Sequence, residues 1–296
     1  MLSAIVRLMR PHQWVKNGFV FVGFVFGHGW EDAALVIDVL IQFAAFCLVS
    51  SAVYVMNDIA DRDADRAHHG KRHRPLAKGE IGLRAALVLG LALALAGLTL
   101  AAWVSRPALL IAATYIVLNL AYSAGLKRVA ILDVFLIAAG FMLRILAGTT
   151  GIGIEPSKWL LLCGLMLTLF LGFCKRRAEL GAAMGAGEGS GGRKIRQRAA
   201  LNGYSLALLD RLVAISAAGA AIGYALYSVD SDTVMLHGTD KLILTLPFVL
   251  YGLFRYLHIV YSRGGGGDPA WELLHDPHLI AATAGWLGVT GWLLAG

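Results

Sequence analysis

Long apolar runs alternate along the chain with shorter polar connections, and most of those connections are basic. A straight membrane-spanning helix needs about 20 apolar residues, and shorter runs can extend into their flanks. We therefore predict nine spans. They are Trp14–Phe26, Leu35–Met56, Leu83–Val104, Pro107–Tyr122, Ile131–Gly148, Trp159–Cys174, Leu206–Tyr227, Leu242–His258 and Leu279–Ala295.

Composition supports this class and excludes others. The chain is 58% hydrophobic and only 15% charged, which excludes an ordinary soluble domain of 296 residues. Its net charge of +7 reflects basic connections and does not indicate a nucleic-acid partner. Three cysteines lie in apolar segments without a disulfide or zinc pattern. The prediction is an all-α integral membrane protein whose partner is the lipid bilayer.

The basic residues also predict an orientation. Most of them lie in residues 57–82 and 175–205, and the positive-inside rule places these segments and the N-terminus in the cytoplasm. Residues 1–13 form an amphipathic pattern that predicts an interfacial helix. We expect residues 1–296 to form one polytopic domain of the inner membrane, with 57–82 and 175–205 as cytoplasmic catalytic loops.

An acidic cluster follows the second predicted span. Asn57, Asp58, Asp61 and Asp65 lie within nine residues. If the helix continues through them, the three aspartates share one face. Clustered carboxylates repel one another unless a cation lies among them, and oxygen ligands without His or Cys suit Mg²⁺. The alternative is an ordinary solvated helix end.

Basic residues near this cluster are candidate phosphate ligands. Arg72, Arg74 and Lys78 follow it, and they either contact phosphate or orient the loop. Lys16 and Asn17 begin the first span, where the alternative role is interfacial anchoring.

Charged residues also end the fourth and sixth spans. Lys175 and Glu179 are four residues apart and Arg176 and Glu179 are three apart, so a surface ion pair is one explanation and a functional motif is the other. Tyr122 and Lys127 end the fourth span in the same way.

Arg144 lies well inside the fifth apolar run. An unpaired cation there costs at least about 2.5–3.5 kcal/mol. We expect it to pair with Asp133 or Glu179, or to bind a substrate phosphate.

The acidic cluster resembles the NDxxDxxxD motif of UbiA-type intramembrane prenyltransferases, and Tyr122 to Lys127 resembles their YxxxLK element. Members usually carry a second motif, DxxxD, where this chain has Lys175 and Glu179. That departure, together with residues 10–17 and 255–269, resembles the decaprenyl-phosphate phosphoribosyltransferase branch.

The resemblance implies a bundle of about nine helices with a cytoplasmic active site. It also implies transfer of 5-phosphoribosyl from phosphoribosyl diphosphate to a polyprenyl phosphate. Mg²⁺ would lie on Asn57, Asp58, Asp61 and Asp65. The implied catalytic residues are Asp58, Asp61, Lys175 and Glu179. The implied substrate-binding residues are Lys16, Asn17, Arg72, Arg74, Lys78, Tyr122, Lys127, Arg144 and Arg176.

Two other functions stay open. One is prenyl transfer from a polyprenyl diphosphate to an aromatic or tetrapyrrole acceptor. The other is transport of an anionic lipid or sugar phosphate, although transporters usually place charges near the bilayer midplane and show repeated halves. A homo-oligomer is compatible with phosphoribosyl transfer and with prenyl transfer.

Overall fold

The structure is a computed structural model that describes residues 2–67, 70–189, 199–263, 265–267 and 269–295. All regular elements in these ranges are helical, which confirms the all-α class. The α-helices, labelled α1 to α14, are Leu2–Met9, Val20–Phe26, Ala33–Ala60, Arg62–Ala67, Pro75–Lys78, Leu83–Val104, Arg106–Ala124, Leu132–Ala147, Lys158–Gly189, Leu206–Val229, Ser231–His237, Leu246–Ser262, Pro269–His275 and Pro277–Ala295. Short 3-10 helices are Pro11–Phe19, Gly29–Glu31, Leu126–Arg128, Thr150–Ile152, Ala199–Gly203 and Lys241–Thr245.

Seven of the described helices are long and apolar enough to cross a membrane. They are α3, α6, α7, α8 with the 3-10 turn after it, α9, α10, and α12 with the 3-10 helix before it. The first and last predicted spans fall outside this set. The first consists of the 3-10 helix Pro11–Phe19 and α2, and the last lies in α14.

The chain divides into two compact units. Unit 1 contains residues 1–126 and 140–156, and unit 2 contains residues 127–139 and 157–296. The division falls inside α8, and the uniform apolar pattern of the sequence gives no sign of it.

In unit 1 the central helix is α3, which begins where the Asp32 carboxylate accepts a hydrogen bond from the Ala34 N–H. It packs closely on α6 because Gly97 lacks a side chain. A Cβ there would lie 2.6 Å from Val49 and 2.9 Å from the Ala45 carbonyl oxygen. Small residues that allow such close approach are typical of helix contacts in membranes.

The amphipathic helix α1 begins at Leu2 and ends at Met9. Its Ala4 and Leu8 are buried against Ala52 and Val55 of α3. The helix predicted for residues 1–13 is therefore shorter, and part of its apolar side packs against protein.

In unit 2, α9 and α10 pack around Phe170, Phe173, Leu209 and Val213. The sequence places a loop after Cys174, whereas α9 continues to Gly189. Alanine, leucine, glutamate and arginine, which favour helix, fill much of this extension. Residues 190–198 of the predicted catalytic loop lie outside the described residues.

Candidate functional site

The Asp58 carboxylate is buried at the end of α3 between two arginines of unit 1. Arg10 Nη2 lies 2.5 Å from Asp58 Oδ1, and Arg74 Nη1 lies 3.0 Å from the same oxygen. Arg74 Nη1 also lies 2.6 Å from Oδ2 of Asp65, which is buried as well. The two carboxylates therefore share one guanidinium group.

The helix does not continue unbroken through the acidic cluster. α3 ends at Ala60, Asp61 caps it, and the short helix α4 carries Asp65. The Asp65 N–H still donates to the Asp61 carbonyl oxygen at 2.8 Å. The one-helix arrangement is therefore wrong in detail, although Asp58 and Asp65 do face a common group.

The other members of the cluster differ in environment. The Ser123 hydroxyl donates to Asn57 Oδ1 at 2.6 Å. Asp61 is half-buried. Asp63 is 91% exposed and lies 3.7 Å from Arg66. Only the carboxylates at motif positions are withdrawn from water, which a simple solvated helix end does not explain.

The donor set suits a hard divalent cation. Within the described ranges, no group of three or more His, Cys, Asp or Glu side chains is arranged to hold a metal ion. Mg²⁺ often takes only one or two carboxylates, and completes its coordination with water and substrate phosphate. In this structure, Arg74 Nη1 places positive charge between Asp58 and Asp65. These two carboxylates can accept a cation, and Asn57 and Asp61 stay predicted ligands.

The exposed basic residues Arg72 and Lys78, which follow the acidic cluster, contact other side chains and not the buried acids. Arg72 Nε is 3.4 Å from the His73 ring, and Lys78 pairs with Glu80 at 3.0 Å. The hydrogen bond from Lys78 lowers the pKa of Glu80, with Arg7 adding to the effect. Of the three cations predicted here, Arg74 is the one that contacts the acids. Lys16, Tyr122 and Lys127 are half-buried.

Arg144 is buried in unit 1 among neutral groups. Its Nε donates to Asn17 Oδ1, its Nη1 to the Gly140 carbonyl oxygen and its Nη2 to the Tyr115 hydroxyl, each at 2.8 Å. The fully buried Asn17 is held in turn by α3, because its Nδ2 donates to Ser50 Oγ at 3.2 Å. The predicted ion pair of Arg144 with Asp133 or Glu179 is wrong, since both of those carboxylates pair with Arg176.

Unit 2 has a buried charge network of its own. Arg176 Nε lies 2.7 Å from Asp133 Oδ2, and Arg176 Nη1 also binds Glu179. Arg176 and Asp133 are both buried, whereas Glu179 is 30% exposed. Lys175 is half-buried and forms no ion pair with a described residue. Of the two residues in the predicted motif, Glu179 therefore joins the ion-pair network of Arg176 and Asp133.

Tyr204 extends this network. Its hydroxyl donates to Asp133 Oδ1 at 2.8 Å and accepts the Ile131 N–H at 2.6 Å. Ile131 has φ +69°, an uncommon conformation for a β-branched residue. Burial and the hydrogen bond to Asp133 raise the pKa of Tyr204, so its hydroxyl stays protonated.

Sequence reasoning missed four of these partners: Arg10, Tyr115, Ser123 and Tyr204. Arg10 lies in residues 10–17, a segment that supports the family resemblance, but the sequence assigns it no role at the site. The other three lie in apolar or uncharged stretches. Their partners are 29 to 71 residues away along the chain, and no helical periodicity connects such positions.

Known proteins resemble this chain both in sequence and in fold. The UbiA prenyltransferase family matches residues 18–274. A decaprenyl-phosphate phosphoribosyltransferase of Mycolicibacterium smegmatis is 32% identical, with 98% of this chain and 92% of that protein covered. One of Mycobacterium tuberculosis is 30% identical over 100% of this chain and 95% of its own length. A UbiA homologue from Archaeoglobus fulgidus, bound to DMAPP and Mg²⁺, shares the fold with a TM-score of 0.70 at 18% identity, covering 98% of this chain and 99% of its own.

Proposed function

The chain belongs to the UbiA prenyltransferase family, and is a multi-pass membrane transferase. From this premise we propose that it transfers the 5-phosphoribosyl group of phosphoribosyl diphosphate to a polyprenyl phosphate, releasing diphosphate.

The near-full-length match to named decaprenyl-phosphate phosphoribosyltransferases carries this proposal. The match to the Mycobacterium tuberculosis protein covers the whole chain, including the segments that carry Asp58 and Lys175, whereas likeness to the Archaeoglobus structure concerns the fold alone. The presence of Lys175 where the family usually has an acid supports the same branch, because a donor with a second phosphate needs more positive ligands.

The chemistry needs little beyond positioning and charge. An oxygen of the lipid phosphate attacks C1 of the ribose while the bond from C1 to the diphosphate oxygen breaks, and the diphosphate leaves with the electron pair. The lipid phosphate is already ionised at neutral pH, so no general base is required. Two anionic substrates repel each other, and cations of the site must hold them together.

The unit 1 residues have separate roles in this reaction. Asp58 and Asp65, with Asn57 and Asp61, would hold Mg²⁺, which when bound neutralises charge on the leaving diphosphate. Arg10 and Arg74 pair with the two buried carboxylates and hold them in place, and their guanidinium groups can also bind a diphosphate that approaches those acids. Lys175 and Glu179 are proposed as the second catalytic motif, with Lys175 binding a donor phosphate.

The proposed topology has nine spans, a cytoplasmic N-terminus and a cytoplasmic active site in the inner membrane. Length supports the two spans outside the set of seven. A 3-10 helix rises about 2.0 Å per residue, so the nine residues of Pro11–Phe19 and the seven of α2 cover about 28 Å. The 19 residues of α14 also cover about 28 Å. Both lengths approach the roughly 30 Å hydrocarbon core.

The direct test is an assay of purified protein in detergent with phosphoribosyl diphosphate labelled in the ribose, a polyprenyl phosphate and Mg²⁺. We expect label to enter the lipid phase, and to stay in the aqueous phase when the metal is chelated. Label that never becomes lipid-soluble would contradict the proposal.

Asp58→Asn tests the acid cluster, with Asp63→Asn as its matched control. We expect the first to lower turnover by at least about 10²-fold, the range found when one side chain that stabilises the charge of a transition state is removed. Asp63 is exposed, so its variant should retain near-normal turnover. Equal activity of the two variants would remove Asp58 from the mechanism.

The second candidate is prenyl transfer, favoured by the fold shared with a homologue that binds DMAPP. Lys175→Asp, which restores the usual acid, separates the two functions. Loss of phosphoribosyl transfer in this variant supports our proposal. Efficient use of a labelled prenyl diphosphate by the unaltered protein, with an aromatic acceptor, would favour the second candidate.

A further inference from the structure

Arg144 has donors left over after its protein contacts are made. A guanidinium group has five N–H donors. Three of them bind the acceptors of Asn17, Gly140 and Tyr115. One N–H on Nη1 and one on Nη2 therefore remain, and an arginine fork of this kind suits two oxygens of one phosphate.

The charge of Arg144 is also uncompensated. Within the described parts of the chain, no carboxylate forms an ion pair with Arg144, although the residue is only 5% exposed. Its guanidinium carbon lies 4.7 Å from the Tyr115 ring centroid and 5.4 Å from that of Phe141. Aromatic faces attract a cation, but they do not cancel its charge. Buried cations in proteins usually pair with an anion or with backbone carbonyls, and the Gly140 carbonyl carries no net charge, so this site suits an anion.

The site lies on the same face of α3 as the acidic cluster. Cys47, Ser50, Tyr54 and Asp58 follow one another at helical spacing. Cys47 and Ser50 accept the hydrogen bonds of Asn17 Nδ2. At the level of Tyr54, Arg10 lies 5.1 Å from the ring centroid and extends to Asp58. Ser50 and Asp58 are eight residues apart, about 12 Å along the helix axis.

We infer that Arg144, oriented by Asn17 and Tyr115, binds the phosphate monoester of a substrate, separately from the diphosphate at Asp58. The inference rests on the proposed function for the identity of that substrate. The 5-phosphate of the donor and the phosphate of the acceptor lipid share the required chemistry. A diphosphate fits less well, because a single cation balances little of its charge.

Binding measurements test this without turnover. The probes are ribose 5-phosphate for the donor and farnesyl phosphate for the acceptor, each titrated into purified protein and followed by calorimetry. Arg144→Gln should weaken one of them about 10- to 100-fold, the effect of removing hydrogen bonds from a charged group. Loss of ribose 5-phosphate binding identifies the donor, and loss of farnesyl phosphate binding identifies the acceptor. The exposed Arg84 at the start of α6 provides the matched control, and Arg84→Gln should bind both probes normally.

The variant Asn17→Asp tests whether weaker probe binding in Arg144→Gln results from loss of folding. It has nearly the same shape and places a carboxylate against Arg144, so the protein supplies the missing anion itself. The ion pair gained with Arg144 offsets the hydrogen bonds that Asn17 Nδ2 donates to Ser50 and Cys47, so we expect this variant to stay folded and to lose the same probe as Arg144→Gln.

Unchanged affinity for both probes in Arg144→Gln and Asn17→Asp overturns the inference, whether or not phosphoribosyl transfer occurs. Conversely, if transfer is never seen but both variants lose a probe, the proposed function fails and the phosphate site stands.

Discussion

Two arginines of the described residues are buried in membrane-spanning helices, one in each unit, and their surroundings differ. Arg176 is 1% exposed and lies between the carboxylates of Asp133 and Glu179. Arg144 is 5% exposed and is held by an amide, a carbonyl and a phenol. Among the described residues, two carboxylates balance the charge of Arg176, but none balances that of Arg144. The first contributes to structure, and the second is available to a ligand.

The largest expected effect comes from Arg176→Met. It leaves Asp133 buried without its cation, and breaking a buried ion pair typically costs about 3–5 kcal/mol. Thermal unfolding in detergent should therefore shift strongly downward. Arg176→Met with Asp133→Asn should recover part of the loss, because no uncompensated charge remains. A stable single variant would mean that Arg176 is not the support of this network.

Tyr204→Phe should have an intermediate effect. It removes the donor to Asp133 and the acceptor of the Ile131 N–H, and an unsatisfied buried group costs about 1–3 kcal/mol. Tyr251→Phe is the control, since its hydrogen bond to His278 is exposed. Urea unfolding of the two variants should separate them. Equal stability would show that the Asp133 network does not depend on Tyr204.

The sequence alone predicts the long helices, but it does not predict the difference between the two arginines. Hydrophobic runs predict the seven long helices, because burial in lipid needs uniform apolarity. The pattern cannot distinguish Arg144 from Arg176, which were both predicted to bind substrate. Their difference depends on Asp133 and Asn17, which lie 43 and 127 residues away from them along the chain.

The acidic cluster shows the same limit. Its spacing predicts that Asp58 and Asp65 lie on one side, and both contact Arg74 in the structure. The shared metal ion stays a prediction. The break at Asp61 and the contact of Asp58 with Arg10 were not predictable from the spacing. The contact with Arg10 depends on how residues 10–19 pack against α3, and such packing leaves no periodic signal.

Arg144→Met should change stability by no more than about 1 kcal/mol. The variant removes an uncompensated charge, which is favourable, and leaves Asn17 Oδ1 without a donor, which is unfavourable by about 1–3 kcal/mol. These opposite effects largely cancel. Unfolding measured beside Arg176→Met should show a difference of at least about 2 kcal/mol between the two. Equal destabilisation would mean that both arginines are structural.

The smallest effect concerns acid pH and a third arginine. Arg255 forms two hydrogen bonds with Asp276, which also caps α14, and these contacts lower the pKa of Asp276 from 3.8 to about 2. A depressed carboxylate pKa stabilises the fold fully above pH 4, and this contribution is lost as the pH falls through about 2. Between those values, Asp276→Asn should flatten the decline of the unfolding temperature slightly. Arg144→Gln should leave the decline unchanged, because Arg144 pairs with no carboxylate in the described parts of the chain. A flatter decline in that variant would reveal an acidic partner and would contradict the distinction between the two buried arginines.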